Sequence, residues 1–87
     1  MKKDQALYFV EMTDTYGGEA NYSWVNRFLV KASSELGAIR KVTRKTGYPA
    51  RKQYEGRYRV PNACITYFIQ WSEHGDEANH YSRIETL

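Results

Sequence analysis

The sequence predicts an α+β fold: an antiparallel sheet of four to five strands with one helix packed on one face, in the order β-β-α-β-β with a short last strand as the fifth. Three observations carry this. Apolar residues alternate with period two in two stretches before residue 32 and in two more after residue 53. One stretch between them, Ser34 to Thr46, follows helical spacing instead. Turn-forming residues separate the stretches. The 87 residues make one domain, 1–87, with a single core.

Leu7 to Met12 reads as the first strand, with Leu7 and Phe9 on one side and Tyr8, Val10 and Met12 on the other. Asp14 to Asn21 reads as a loop around Gly17-Gly18, because glycine reaches positive φ without steric cost. Tyr22 to Lys31 is the second strand, Trp24, Phe28 and Val30 on one side and Val25 and Leu29 on the other. Ser33 and Ser34 then offer cap oxygens, Glu35 meets the positive end of the helix dipole, and Leu36, Ile39 and Val42 form the inward stripe. Arg44 and Lys45 suit the last turn, and Gly47 with Pro49 ends the helix. Tyr54, Tyr58 and Val60 alternate with Glu55, Arg57 and Arg59, a half-buried strand that stops at Pro61-Asn62. Ala63, Ile65, Tyr67, Ile69 and Trp71 share one face of the next strand, with Thr66, Phe68, Gln70 and Ser72 on the other. Glu73 to Asn79 is a polar loop, and Tyr81 to Glu85 is the short last strand. One helix covers one sheet face, so the opposite face is expected to show Tyr8, Phe68 and aromatics of the second strand, a partner site or a homodimer contact.

Thirteen aromatics suit a packed sheet and a sticky surface alike. No apolar run approaches the roughly 20 residues that span a bilayer, so no membrane partner is expected. Met1 to Gln5 lacks the apolar stretch of a signal peptide, and Cys64, the only cysteine, excludes an intramolecular disulfide. The expected location is cytoplasmic.

Charge is concentrated. Arg40 to Arg59 holds eight cations (Arg40, Lys41, Arg44, Lys45, Arg51, Lys52, Arg57, Arg59) against Glu55 alone, a net +7, so the rest of the +3 chain carries −4. Much of that acidity lies in Glu73, Asp76, Glu77 and Glu85. On a helical wheel Arg40 stacks with Arg44 and Lys41 with Lys45, away from the apolar stripe, while Arg57 and Arg59 share one strand face. Arg40, Lys41, Arg44, Lys45, Arg57 and Arg59 are therefore the expected electrostatic contact residues, forming one patch that attracts phosphate backbones or an acidic protein surface. A solvated outer helix face explains the same residues without a partner.

Catalytic chemistry is not indicated. Gly17-Gly18 matches neither phosphate-loop pattern and precedes no helix. Asp14, Tyr16, Glu19 and Asn21 surround those glycines, so Tyr16, Glu19 and Asn21 are candidate loop-recognition residues. His74 and His80 flank Asp76 and Glu77, but a loop of this kind rarely orders two histidines without further ligands. Cys64 has no histidine base signalled by its spacing, and a strand cysteine usually serves as a small buried hydrophobe. No catalytic residue, metal or cofactor is expected.

The run Asp14-Thr15-Tyr16-Gly17-Gly18-Glu19-Ala20-Asn21-Tyr22-Ser23-Trp24-Val25 resembles one found in small, uncharacterised proteins of bacteriophages and prophages. It covers the N-terminal hairpin, carries no known chemistry and transfers no functional residue. The architecture looks like small phage counter-defence proteins of the anti-CRISPR type, a likeness of fold alone. The resemblance implies a phage-type accessory protein in a bacterial cytoplasm. The expected function is non-enzymatic: binding and inhibiting or redirecting a host protein or nucleoprotein complex that handles nucleic acid or serves defence. Direct nucleic-acid binding is one alternative, and a structural or morphogenetic phage component is another.

Overall fold

The computed structural model describes residues 5–16, 19–76, 80, 81 and 83–87. Its first third forms two long strands, β1 (Ala6–Tyr16) and β2 (Glu19–Ala32). They pair antiparallel from Ala6 opposite Ala32 to Tyr16 opposite Glu19. The loop expected from Asp14 to Asn21 is therefore strand on both sides, since Thr13, Thr15 and Tyr16 favour extended backbone. Gly17 and Gly18 lie outside the described residues. Irregularity moves into β2 instead: register jumps from Thr13 opposite Val25 to Thr15 opposite Ala20, and Tyr22 adopts φ 53°. This is a bulge, which bends the strand locally.

Helix α1 (Glu35–Thr46) starts and stops where its caps dictate. The Ser34 hydroxyl accepts the Gly37 N–H at 3.0 Å. Gly47 turns left-handed at φ 81°, and its N–H donates to the Thr43 carbonyl at 2.8 Å. Ala38, Ile39 and Val42 form the buried face. Leu36 was expected among them but is 46% exposed. It lies roughly a third of a turn from that face's centre.

The single strand expected from Tyr54 to Val60 is two, β3 (Arg51–Tyr54) and β4 (Arg57–Arg59). The chain reverses at Glu55-Gly56, where Gly56 takes φ 84°. β5 (Ile65–Ser72) pairs with β1 and β4, and its two faces are populated as its alternation predicts. β6 is Glu85–Thr86 rather than Tyr81–Glu85, and it runs parallel to β2, with Phe28 opposite Glu85. The sheet therefore has six strands and is mixed, in the order β3-β4-β5-β1-β2-β6, instead of four or five purely antiparallel ones.

Register decides the core. Val10 and Met12 of β1, Phe28, Val30 and Ala32 of β2, Tyr58 of β4 and Tyr67 and Ile69 of β5 meet Ala38, Ile39 and Val42 under the helix. Tyr8 packs against this cluster, because it stands opposite Val30 and Trp71 and so shares their face; it is not on the opposite one. The Tyr67 ring is fully buried, and its hydroxyl lies 2.7 Å from Thr46 Oγ1 and donates to the Tyr48 carbonyl at 2.9 Å. Burial raises its pKa, and burial pushes that of Tyr58 up to about 12, helped by a hydrogen bond to Glu35.

The opposite face is not bare. Phe9 and Leu29 are buried there, and Tyr81 stacks on Phe9 with ring centroids 5.5 Å apart. Gly75 passes so close that a Cβ would sit 3.1 Å from Leu29 Cδ2 and 3.2 Å from Leu7 Cδ1. Gly75 and Tyr81 thus cover the end of this face near Leu7 and Phe9, and Phe68 stays half-buried nearer β4. Among the described residues no helix is long and apolar enough to cross a membrane.

Candidate functional site

Arg40, Lys41, Arg44 and Lys45 lie exposed on α1. Arg57 and Arg59 do not join them. Tyr58 between them points into the core under the helix, so strand alternation turns both neighbours to the other face. The continuous patch expected from sequence is corrected to two cationic sets with the sheet between them.

The helical set has local reasons to exist. Arg44 and Lys45 sit in the last turn, where the dipole favours cations. Lys45 Nζ is 3.3 Å from Glu85, and Lys41 Nζ donates to the Lys31 carbonyl at 2.6 Å. Leu87 lies beside Lys41, Arg44 and Lys45 in an open groove of about 460 Å³.

The second set sits at the corner built by β3 and β4. Arg51 stands directly opposite Arg59 across the hairpin. Like charges so placed repel, on the scale of roughly 0.2–1 kcal/mol that cross-strand pairs carry. Among the described residues no carboxylate lies in ion-pair range of Arg51, Lys52 or Arg59. These three line a depression of about 260 Å³ with Gln53 and Pro61. Arg57 lies along the same face, its guanidinium 5.3 Å from the Phe68 ring centroid and 5.7 Å from that of Tyr54. Its Nη1 donates to the Tyr54 hydroxyl at 3.0 Å. Across the sheet the row continues from Phe68 to Glu11, which accepts from Arg27 Nε at 2.9 Å.

Sequence reasoning counted Arg51 and Lys52 as charge but missed them, and Tyr54, as site residues. The signal was Gly56: a turn centred on Glu55-Gly56 folds Arg51 back onto Arg59.

At the other end of the sheet Tyr16 is 82% exposed, with Glu19 opposite it. Asn21 has a structural task, since its Nδ2 donates to Asp14 Oδ2 at 3.0 Å. The Ser23 hydroxyl donates to the same oxygen at 2.6 Å and the Ser23 N–H to Oδ1 at 3.0 Å. These bonds, the Ser23 hydroxyl first, hold the Asp14 carboxyl below its usual 3.8, at about 2. Asp14 thus organises the β2 bulge, leaving Tyr16 and Glu19 as the presented pair.

Cys64 is exposed in the turn before β5 rather than buried in the strand, because the strand begins one residue later; its carbonyl accepts the Thr15 N–H at 2.9 Å. His74 and His80 are exposed, and His74 Nε2 is 3.7 Å from Glu73. Glu77 lies outside the described residues. Among those described, no cluster of three or more His, Cys, Asp or Glu is arranged to hold a metal ion. Sequence reasoning also missed a groove of about 430 Å³ between β2 and the last segment, lined by residues including Arg27, Phe28 and Arg83. Arg27 lies 4.0 Å over the Tyr81 ring at its side. No protein-family model, no curated protein and no solved structure matches this chain.

Proposed function

We propose that this chain is a non-enzymatic binding protein that engages an acidic surface of another protein through Arg51, Lys52, Arg57 and Arg59. The observation that carries the reading is the Arg51–Arg59 pair: like charges held opposite each other with no carboxylate among the described residues to offset them. Such an arrangement works against folding and in favour of an anionic partner. The exposed helical cations, Arg40 and Arg44 above all, add long-range attraction without forming the contact. The likeness of Asp14 to Val25 to phage-type proteins supports a setting in a bacterial cytoplasm, with a host protein of defence or nucleic-acid handling as the one inhibited or redirected.

Direct binding of single-stranded nucleic acid is the second reading. Tyr54, 56% exposed beside Arg57, favours it, since aromatic rings next to cations stack bases. Both readings are tested by titrating the protein against a fluorescein-labelled oligo-glutamate peptide and a labelled oligothymidine at two salt concentrations. The protein-partner reading expects the peptide to bind and to weaken at higher salt. Preference for oligothymidine with a steep salt slope would move the assignment to nucleic acid. Binding of neither at low salt would remove both.

A further inference from the structure

β3 is the rim of the sheet; it pairs with β4 on one side and the strand order ends with it. All four of its residues are exposed. The direction of its backbone groups follows from the neighbouring ladder. The Val60 N–H donates to the Ile65 carbonyl and the Ile69 N–H to the Gly56 carbonyl, both at 3.0 Å. Even-numbered residues of this stretch therefore bond toward β5, and Arg57 and Arg59 bond toward β3. Arg51, opposite Arg59, bonds back toward β4. In an antiparallel ladder the N–H and C=O of one residue point to the same side, and the side alternates along the strand. The N–H and C=O of Lys52 thus point outward from the sheet.

The side chains around that open position are cationic on both faces. Arg51 and Arg59 share one face, and Lys52, opposite Tyr58, stands on the other. A second copy of this chain would bring the same charges to the rim, and charged edges of this kind oppose self-pairing. The far side of the sheet is a poor template by comparison. β6 covers β2 at Phe28 and Leu29, and the bulge with Tyr22 at φ 53° bends the remainder. The register of β3 shifts after Lys52, so the template is short.

We propose that β3 accepts a short acidic, extended segment of the partner protein as an added strand. Main-chain hydrogen bonds form at Lys52, and carboxylates at alternate positions of the added strand meet Arg51 and Arg59 on one face. This rests on the reading that the corner engages an acidic protein surface, and it specifies how. Main-chain bonds supply affinity in such docking, and alternate side chains supply specificity.

The test uses the full chain and labelled peptides of alternating Glu and Val, followed by fluorescence anisotropy. Two further peptides carry N-methyl groups on every Glu or on every Val. The parent is expected to bind, and one methylated peptide is expected to lose at least about tenfold while the other stays within about threefold. Hydrogen exchange at the Lys52 amide is expected to slow when the parent peptide is bound. If both methylated peptides bind like the parent and Lys52 exchange is unchanged, strand addition falls while the acidic-surface reading stands. If no acidic peptide binds, or an oligothymidine of equal charge binds more tightly, both fall.

Discussion

The two faces of the sheet are made by the same strands and filled to different ends. Under α1, Val10, Val30, Tyr58 and Tyr67 close into one core whose polar atoms find partners, as the Tyr67 hydroxyl does with Thr46 and Tyr48. On the other face, Tyr81 lies on Phe9 at one end, and the β3–β4 end carries Arg51, Arg57 and Arg59 beside exposed Tyr54 and half-buried Phe68. The same contrast holds between the cationic sets. Lys41 and Lys45 satisfy the fold's own carbonyl and carboxylate, whereas Arg51 and Arg59 face each other. Charges with a local task stabilise the fold; charges set against one another oppose it, and the proposed acidic partner is what would offset them.

The contrast can be broken most forcefully under the helix. Tyr67→Ala should cost about 3–5 kcal/mol in urea unfolding, as large buried aromatic truncations do; a loss below about 1 kcal/mol would mean this face is not the core. Tyr81→Ala on the opposite face should cost less, about 1 kcal/mol for the lost stack, and leave the unfolding transition cooperative. If it unfolds the chain, the second face is as much core as the first. Arg51→Thr should raise stability by roughly 0.2–1 kcal/mol through relief of the cross-strand repulsion, while weakening binding to the acidic peptide. A fall in stability would show that the pair is not strained.

The smallest effect is at the hairpin end. The Asp14 carboxyl, held at about 2 against its usual 3.8, favours the folded bulge above pH 3.8. That contribution fades as pH drops from 3.8 toward 2, where the carboxyl protonates in the folded state. The Ser23 amide resonance should therefore titrate with a midpoint near 2; a midpoint near 3.8 would show that Asp14 does not hold the bulge.

Much of the helix-side face was legible in the sequence. Ser34 and Gly47 mark the helix ends through backbone groups that only such residues satisfy, and the alternation of β5 sorts its side chains correctly. What alternation does not carry is the path between strands. Tyr54 and Tyr58 look like neighbours on one face, yet the reversal at Gly56 sets Tyr54 opposite Arg57 and Tyr58 under the helix. The cations of one short stretch likewise separate, with Arg51, Arg57 and Arg59 across the sheet from the helical set and Lys52 on the helix side at the rim, because an intervening sheet has two sides. The parallel pairing of Glu85 with Phe28 depends on contacts distant in sequence and leaves no local mark.

One paired measurement reaches the central claim. Affinity for the labelled acidic peptide is compared in Arg51→Glu/Arg59→Glu and Arg40→Glu/Arg44→Glu, with circular dichroism confirming that both variants fold. The corner reversal should weaken binding at least about tenfold and the helix reversal by no more than about threefold. Equal losses, or the larger loss from the helix pair, would contradict the assignment of the binding surface to β3 and β4.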